Sequence, residues 1–91
     1  MRITEKLYEN NSLLKECWAK VLSCNKKDKG YEIVLDRTVI FPEGGGQPSD
    51  KGWIDGTILM YASEKDGQVF HYCNEAIAVG SEVLVKLDWA R

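Results

Sequence analysis

The sequence predicts a small, mainly all-β protein, and three observations carry that expectation. Apolar and polar residues alternate in several short runs, the runs are divided by glycine-containing turn signals, and no long stretch has the spacing of an amphipathic helix. Five or six such strands imply a small antiparallel β-barrel or sandwich with at most one short helix. At 91 residues the chain is expected to form a single domain, residues 1–91, with a modest core.

In chain order, Thr4 to Tyr8 reads as a short edge strand, and Asn10-Asn11-Ser12 as a turn or cap. From Leu13 to Cys24, Cys17, Ala19 and Val21 alternate with Trp18, Lys20 and Leu22, which suits a strand covered on both faces; a short helix over Ser12 to Trp18 is the competing reading. Asn25 to Gly30 is a hairpin turn, with Gly30 expected at a positive-φ position. Its three lysines are read as a solvated turn that blunts a strand edge, with phosphate contact as the alternative.

Tyr31 to Asp36 is the clearest strand, with Tyr31, Ile33 and Leu35 on one face. Extended structure resumes at Trp53 and runs to Tyr61, interrupted by a turn or bulge at Asp55-Gly56; Ile58, Met60 and Ala62 are expected on one side, Leu59 and Tyr61 on the other. Asp66-Gly67 marks a hairpin into Gln68 to Cys73, and Val83, Val85 and Leu87 line a last strand after a loop containing Gly80.

Composition excludes several classes. With 44% hydrophobic and 29% charged residues, the chain is neither disordered nor collagenous. No apolar run approaches the ~20 residues of a membrane helix, so no membrane partner is expected. The net charge of −2 lacks the basic excess of a free-standing nucleic-acid binder, so RNA would need a local patch or another domain. Cys17, Cys24 and Cys73 show no paired metal-ligand spacing and read as reduced thiols of a cytoplasmic protein. His71 and Cys73 share a strand face, but two ligands do not close a structural metal site. Ser49 adjoins Asp50 with no histidine placed to activate it, so neither a metal ligand set nor a catalytic residue is assigned.

The rest is organised around Thr38 to Ile54. Gly44, Gly45 and Gly46 stand between Pro42 and Pro48, a loop costly to order, which therefore shapes or contacts something. It is no phosphate loop, because no Lys-Ser or Lys-Thr pair follows the glycines. Asp36-Arg37-Thr38, then Phe41-Pro42-Glu43-Gly44-Gly45-Gly46-Gln47-Pro48-Ser49-Asp50, then Gly52, resembles the glycine-rich motif of the alanyl-tRNA synthetase editing domain and its free-standing AlaX-type relatives. The chain departs from the commoner pattern at Ile40-Phe41, where the family has a Phe-Tyr pair.

The resemblance implies a barrel similar to those of translation proteins and a parent hydrolase that deacylates mischarged Ser-tRNA(Ala) or Gly-tRNA(Ala). It implies that Thr38 faces the editing pocket and helps bind the hydroxyl of a misattached serine, with Gln47 and the loop Gly44, Gly45, Gly46 beside it. Glu43 and Asp50 are read as braces of the loop, and Asp36-Arg37 as a local ion pair. In that family zinc is held by a His-x-x-x-His and a Cys-x-x-x-His pair, neither of which occurs here. The expectation is therefore the N-terminal half of an editing module, with no cofactor of its own and zinc in the full-length parent. Its expected partners are the tRNA(Ala) acceptor end, the missing C-terminal half, and a second copy docked on the apolar surface that half would cover. The alternative is a non-catalytic barrel that binds RNA or protein through the loop and exposed aromatics among Trp18, Trp53 and Trp89.

Overall fold

In the computed structural model, which describes residues 4–7, 15–28, 30–44 and 48–88, every regular element is a strand. These are β1 (Glu5–Lys6), β2 (Glu16–Lys27), β3 (Gly30–Leu35), β4 (Arg37–Thr38), β5 (Gly52–Ile54), β6 (Thr57–Lys65), β7 (Gln68–Cys73) and β8 (Glu82–Leu87). Six of them close into a barrel in the order β2-β3-β7-β6-β5-β8, and each barrel pairing is antiparallel. The other two, β1 and β4, form a short parallel pair that matches Glu5 to Arg37 and Lys6 to Thr38.

The short helix over Ser12 to Trp18 does not form at its described end. Glu16, Cys17 and Trp18 instead pair with Lys86, Val85 and Leu84 of β8. Alternating residues with a cross-strand partner outweigh a marginal helix of two turns; Ser12, Leu13 and Leu14 lie outside the described residues.

Both Asp-Gly signals are two-residue hairpin turns. Asp55 and Gly56 have φ of 52° and 79°, Asp66 and Gly67 of 53° and 82°, the left-handed pair that matches strand twist. Gly30 corrects the expectation made for it: it opens β3 with an ordinary backbone angle, and its value is space. A Cβ there would strike the Cys73 carbonyl and crowd the Met60 methyl group.

Alternation also fails at one expected place. The β6–β7 register shifts between Leu59 and Tyr61, so Leu59 and Ala62 are both buried while Ile58, Met60 and Tyr61 face out. The extra residue of this bulge reverses the inside–outside assignment. A second shift, between Val21 and Ser23, bends β2 as it passes from β8 to β3.

Inside the barrel, Val21, Ile33, Leu35, Leu59, Val69 and Val85 form the centre of the core. Full burial of each such side chain stabilises the fold by roughly 1.5–3 kcal/mol relative to exposure. After β3 the chain turns into this interior, and Val39 and Ile40 join the core. Thr4 closes the gap where β3 and β7 part. Its hydroxyl donates to the Leu35 carbonyl at 3.0 Å and accepts the Val69 N–H at 3.1 Å, a bridge no alternation pattern announces. Among the described residues no helix is long and apolar enough to cross a membrane.

Candidate functional site

The motif segment leaves β4 at Thr38, crosses into the core at Val39 and Ile40, and reaches the surface at Phe41. Thr38 and His71 are each 0% exposed, so their polar atoms must be satisfied internally. They are. His71 Nδ1 lies 3.1 Å from the Ile33 carbonyl oxygen. A carbonyl can only accept, so Nδ1 carries the proton and Nε2 is an acceptor. Thr38 Oγ1, 2.9 Å from Nε2, therefore donates to it, and accepts the Ile40 N–H at 3.0 Å. One lone pair of Thr38 remains, and it is an acceptor position only.

Burial holds the His71 imidazole at a pKa of about 4, despite the opposing bonds to backbone, so it is neutral near pH 7. Burial likewise pushes the Cys73 thiol up to about 12 and Cys17 up to about 11, so neither is a thiolate nucleophile or ready metal ligand at neutral pH. His71 and Cys73 do share the inward face of β7, as their spacing predicts. Both ring nitrogens of His71, however, are already bonded within the protein.

The glycine-rich loop is clamped at its base. The Asp50 N–H donates to the Phe41 carbonyl at 2.9 Å, and the Phe41 N–H donates to Asp50 Oδ2 at 3.1 Å. The eight residues 42–49 thus leave and return at one point. Both shoulders then lie along β6: Glu43 N–H donates to the Ala62 carbonyl at 2.8 Å, and Ala62 N–H donates to Ser49 Oγ at 3.0 Å. The bracing role read for Asp50 has this geometry, whereas Glu43 braces through its backbone. Gly44 is exposed, and an added Cβ there would meet nothing within 4 Å. Gly45, Gly46 and Gln47 lie outside the described residues, as does Trp89.

Asp36 is more than half of an ion pair. Its Oδ1 accepts the Lys20 N–H at 2.8 Å, and Oδ2 stands 3.8 Å from Arg37 Nε, which also lies 4.0 Å from Glu5. Two partners of the motif segment escaped the sequence reading. His71 as the acceptor for Thr38 had one available signal, a lone histidine at an inward position of an alternating strand. Ser49 as the tie to Ala62 had none, because the two are 13 residues apart and joined only by the fold.

Comparison with known proteins bears directly on this motif. No protein-family model matches the chain. Alanyl-tRNA editing protein AlaX-M of Pyrococcus horikoshii is 38% identical over 92 residues, covering 98% of this chain and 41% of the relative. Alanyl-tRNA editing protein AlaX-L of the same organism is 37% identical over 94 residues, covering 96% of this chain and 23% of the relative. Over nearly its whole length the chain is similar to these editing proteins, which supports an AlaX-type editing domain. The alanine–tRNA ligase of Methanobrevibacter smithii is also similar, 38% identical over 96 residues, covering 97% of this chain and 11% of the ligase. The chain thus spans less than half the length of these curated relatives.

Zinc, which the resemblance implies, does not fit the residues in view. Among the described residues no three His, Cys, Asp or Glu side chains converge on one point, short of the three or four ligands such a site uses.

Proposed function

We propose that this chain is the β-barrel part of an alanyl-tRNA editing hydrolase, acting in the cytoplasm, whose complete form cleaves the ester of Ser-tRNA(Ala) or Gly-tRNA(Ala). Water adds to the ester carbonyl, the bond to the tRNA 3′ oxygen breaks, and the free amino acid and tRNA leave. Editing is needed because a site built for alanine cannot exclude smaller glycine and rejects serine poorly. The observation that carries this reading is the segment from Thr38 to Gly52, which holds the motif and has its base fixed by Phe41 and Asp50. The barrel supplies one pocket wall and the loop; zinc, with the activation of water it would bring, is assigned to a segment outside these 91 residues.

Within this reading Thr38 has two tasks. It satisfies His71, and it offers its remaining lone pair to the hydroxyl of a misattached serine, which must act as donor. Thr38 has no exposed surface here, so the assignment requires the complete protein to present that lone pair to its pocket.

The deciding observation is the gene beyond Arg91. His-x-x-x-His and Cys-x-x-x-His pairs there, with deacylation of Ser-tRNA(Ala) by the longer protein and none by the 91-residue chain, support the proposal; turnover or one-to-one zinc binding by the short chain sinks it. In the longer protein, Thr38→Val should lower kcat/KM for Ser-tRNA(Ala) by roughly ten- to a hundredfold, with a much smaller effect on Gly-tRNA(Ala). Thr38→Ser should retain the preference. Equal losses on both substrates would reduce Thr38 to a structural residue.

The reading of the chain as a non-catalytic binding module is favoured by one observation, the outward aromatic grooves. Trp18 and Trp53 flank Leu84 and Lys86 on the outer face of β2, β8 and β5. A longer gene without the metal-ligand pairs would select that reading, and sedimentation of the 91-residue chain would show whether the face joins two copies.

A further inference from the structure

Among the described residues the buried polar and charged side chains are Thr4, Thr38, Asp50 and His71. Two of them have structural tasks: Thr4 closes the gap between β3 and β7, and Asp50 clamps the loop. His71 and Thr38 have only each other and the backbone. A hydrocarbon side chain of similar shape would fill the barrel at position 71 without the cost of desolvating an imidazole. Packing alone therefore gives no reason for a histidine there.

What the imidazole adds is direction. His71 lies opposite Ile33 on the neighbouring strand, and its ring proton is committed to that residue's carbonyl, 3.1 Å from Nδ1. Nε2 is left as a bare acceptor, 2.9 Å from Thr38 Oγ1. The hydroxyl proton of Thr38 is thereby drawn into the core, while the Ile40 N–H occupies a second side of the same oxygen at 3.0 Å. All three bonds run in one sense, from the Ile40 N–H through the hydroxyl and the ring to the Ile33 carbonyl, and bonds chained this way polarise one another. A charged ring would have no bare nitrogen. Burial holds this one neutral near pH 7, in the accepting form.

We propose that His71 determines the specificity of the editing site by holding the proton of Thr38, which makes that hydroxyl an acceptor and nothing else. The site then recognises an amino acid by a hydrogen-bond donor on its β carbon. Serine carries one, and alanine and glycine do not. A freely rotating threonine hydroxyl would offer its proton as readily as its lone pairs, and could satisfy itself on a water or the ester carbonyl whatever the side chain. His71 is enclosed and touches no substrate, so it is a positioning residue that acts through Thr38. The inference rests on the editing reading and extends it from Thr38 to the residue that sets its polarity.

The first test needs only the 91-residue chain. NMR of the imidazole nitrogens should show Nδ1 protonated and Nε2 bare, and Thr38→Val should shift Nε2 while leaving Nδ1 almost unmoved. A proton on Nε2 would overturn the inference, because Thr38 would then be the acceptor of that bond. The second test uses the longer protein with Ser-tRNA(Ala) and Gly-tRNA(Ala), and two variants that divide the bonds of the ring. His71→Gln can place its amide oxygen where Nε2 stands and keep the Thr38 proton. His71→Asn can reach the Ile33 carbonyl but stops short of Thr38. His71→Asn should lower kcat/KM for Ser-tRNA(Ala) roughly tenfold, with a much smaller loss on Gly-tRNA(Ala), and His71→Gln should recover most of it. Equal losses on both esters, or losses that follow the urea midpoints of the variants and not their reach, would leave His71 a core residue and overturn its role. Turnover of both esters with the wrong tautomer overturns this inference alone. A longer protein that cleaves neither ester, with the tautomer as expected, overturns the editing reading and the specificity role with it.

Discussion

His71 and Tyr72 are neighbours on one strand, paired with Ala62 and Tyr61 on the next, yet they live in opposite conditions. His71 points inward, is fully buried, and has both ring nitrogens bonded to the protein. Tyr72 points outward, stacks on an exposed ring, and donates its hydroxyl to a carboxylate that still has acceptor capacity. The same two strands thus carry a closed polar network on one face and an open one on the other. A buried polar group must spend its hydrogen bonds on its own fold, because the cost of leaving one unmade exceeds the gain from making it. An outward group is under no such constraint, and that is where chemistry remains for a partner.

The contrast is broken most directly at His71. Replacing it with Leu strands the Ile33 carbonyl and the Thr38 hydroxyl in the core, and should lower stability by roughly 2–5 kcal/mol. Urea unfolding of the 91-residue chain measures this. A loss under about 1 kcal/mol would mean that the interior network is not what holds Thr38 and Ile40 in place.

Acid sharpens the comparison. Folding holds the His71 pKa at about 4, below its ordinary 6.5, so the unfolded chain binds the proton more readily. The stability contributed by a neutral His71 is therefore complete above about pH 6.5 and is lost as pH falls from there toward 4, by up to about 3 kcal/mol. Urea midpoints across that window should fall for the wild type relative to His71→Leu, whose site has nothing to titrate. Parallel curves for the two proteins would contradict a buried, uncharged imidazole.

The outer face should answer with the smallest change. Tyr61→Ala removes a half-exposed ring from a cross-strand pair and should cost no more than about 1 kcal/mol. A loss as large as that of His71→Leu, in the same urea assay, would show that the tyrosine stack supports the barrel and is not a spare surface.

These positions also show what could be read in advance. The strands, the Asp-Gly hairpins and the barrel follow from short-range alternation and turn chemistry, which depend on neighbours in sequence. The glycine-rich motif was legible because its residue order is unusual. The β6 bulge was not, since Thr57 to Lys65 alternates well enough in either register, and only the partners Cys73, Tyr72 and His71 decide which residues face in. The role of Gly30 was misread for a related reason: its constraint comes from Cys73 and Met60, far along the chain, and not from the turn beside it. Thr38 stands out in the sequence through its place in the motif, but its bond to His71 joins residues 33 apart and has no local signature.

The way Glu43 and Ser49 lie on Ala62 has a consequence for solubility. Strand β5 pairs with β6 only over Thr57 to Leu59, which leaves the Ala62 end of that edge to the loop shoulders. A bare strand edge is a template for the edge of another molecule. The glycine-rich segment therefore also acts as a cover that keeps one barrel from adding itself to the next. Changes that loosen it, such as Ser49→Ala or Asp50→Ala, are expected to show first as self-association on concentration and only later as unfolding.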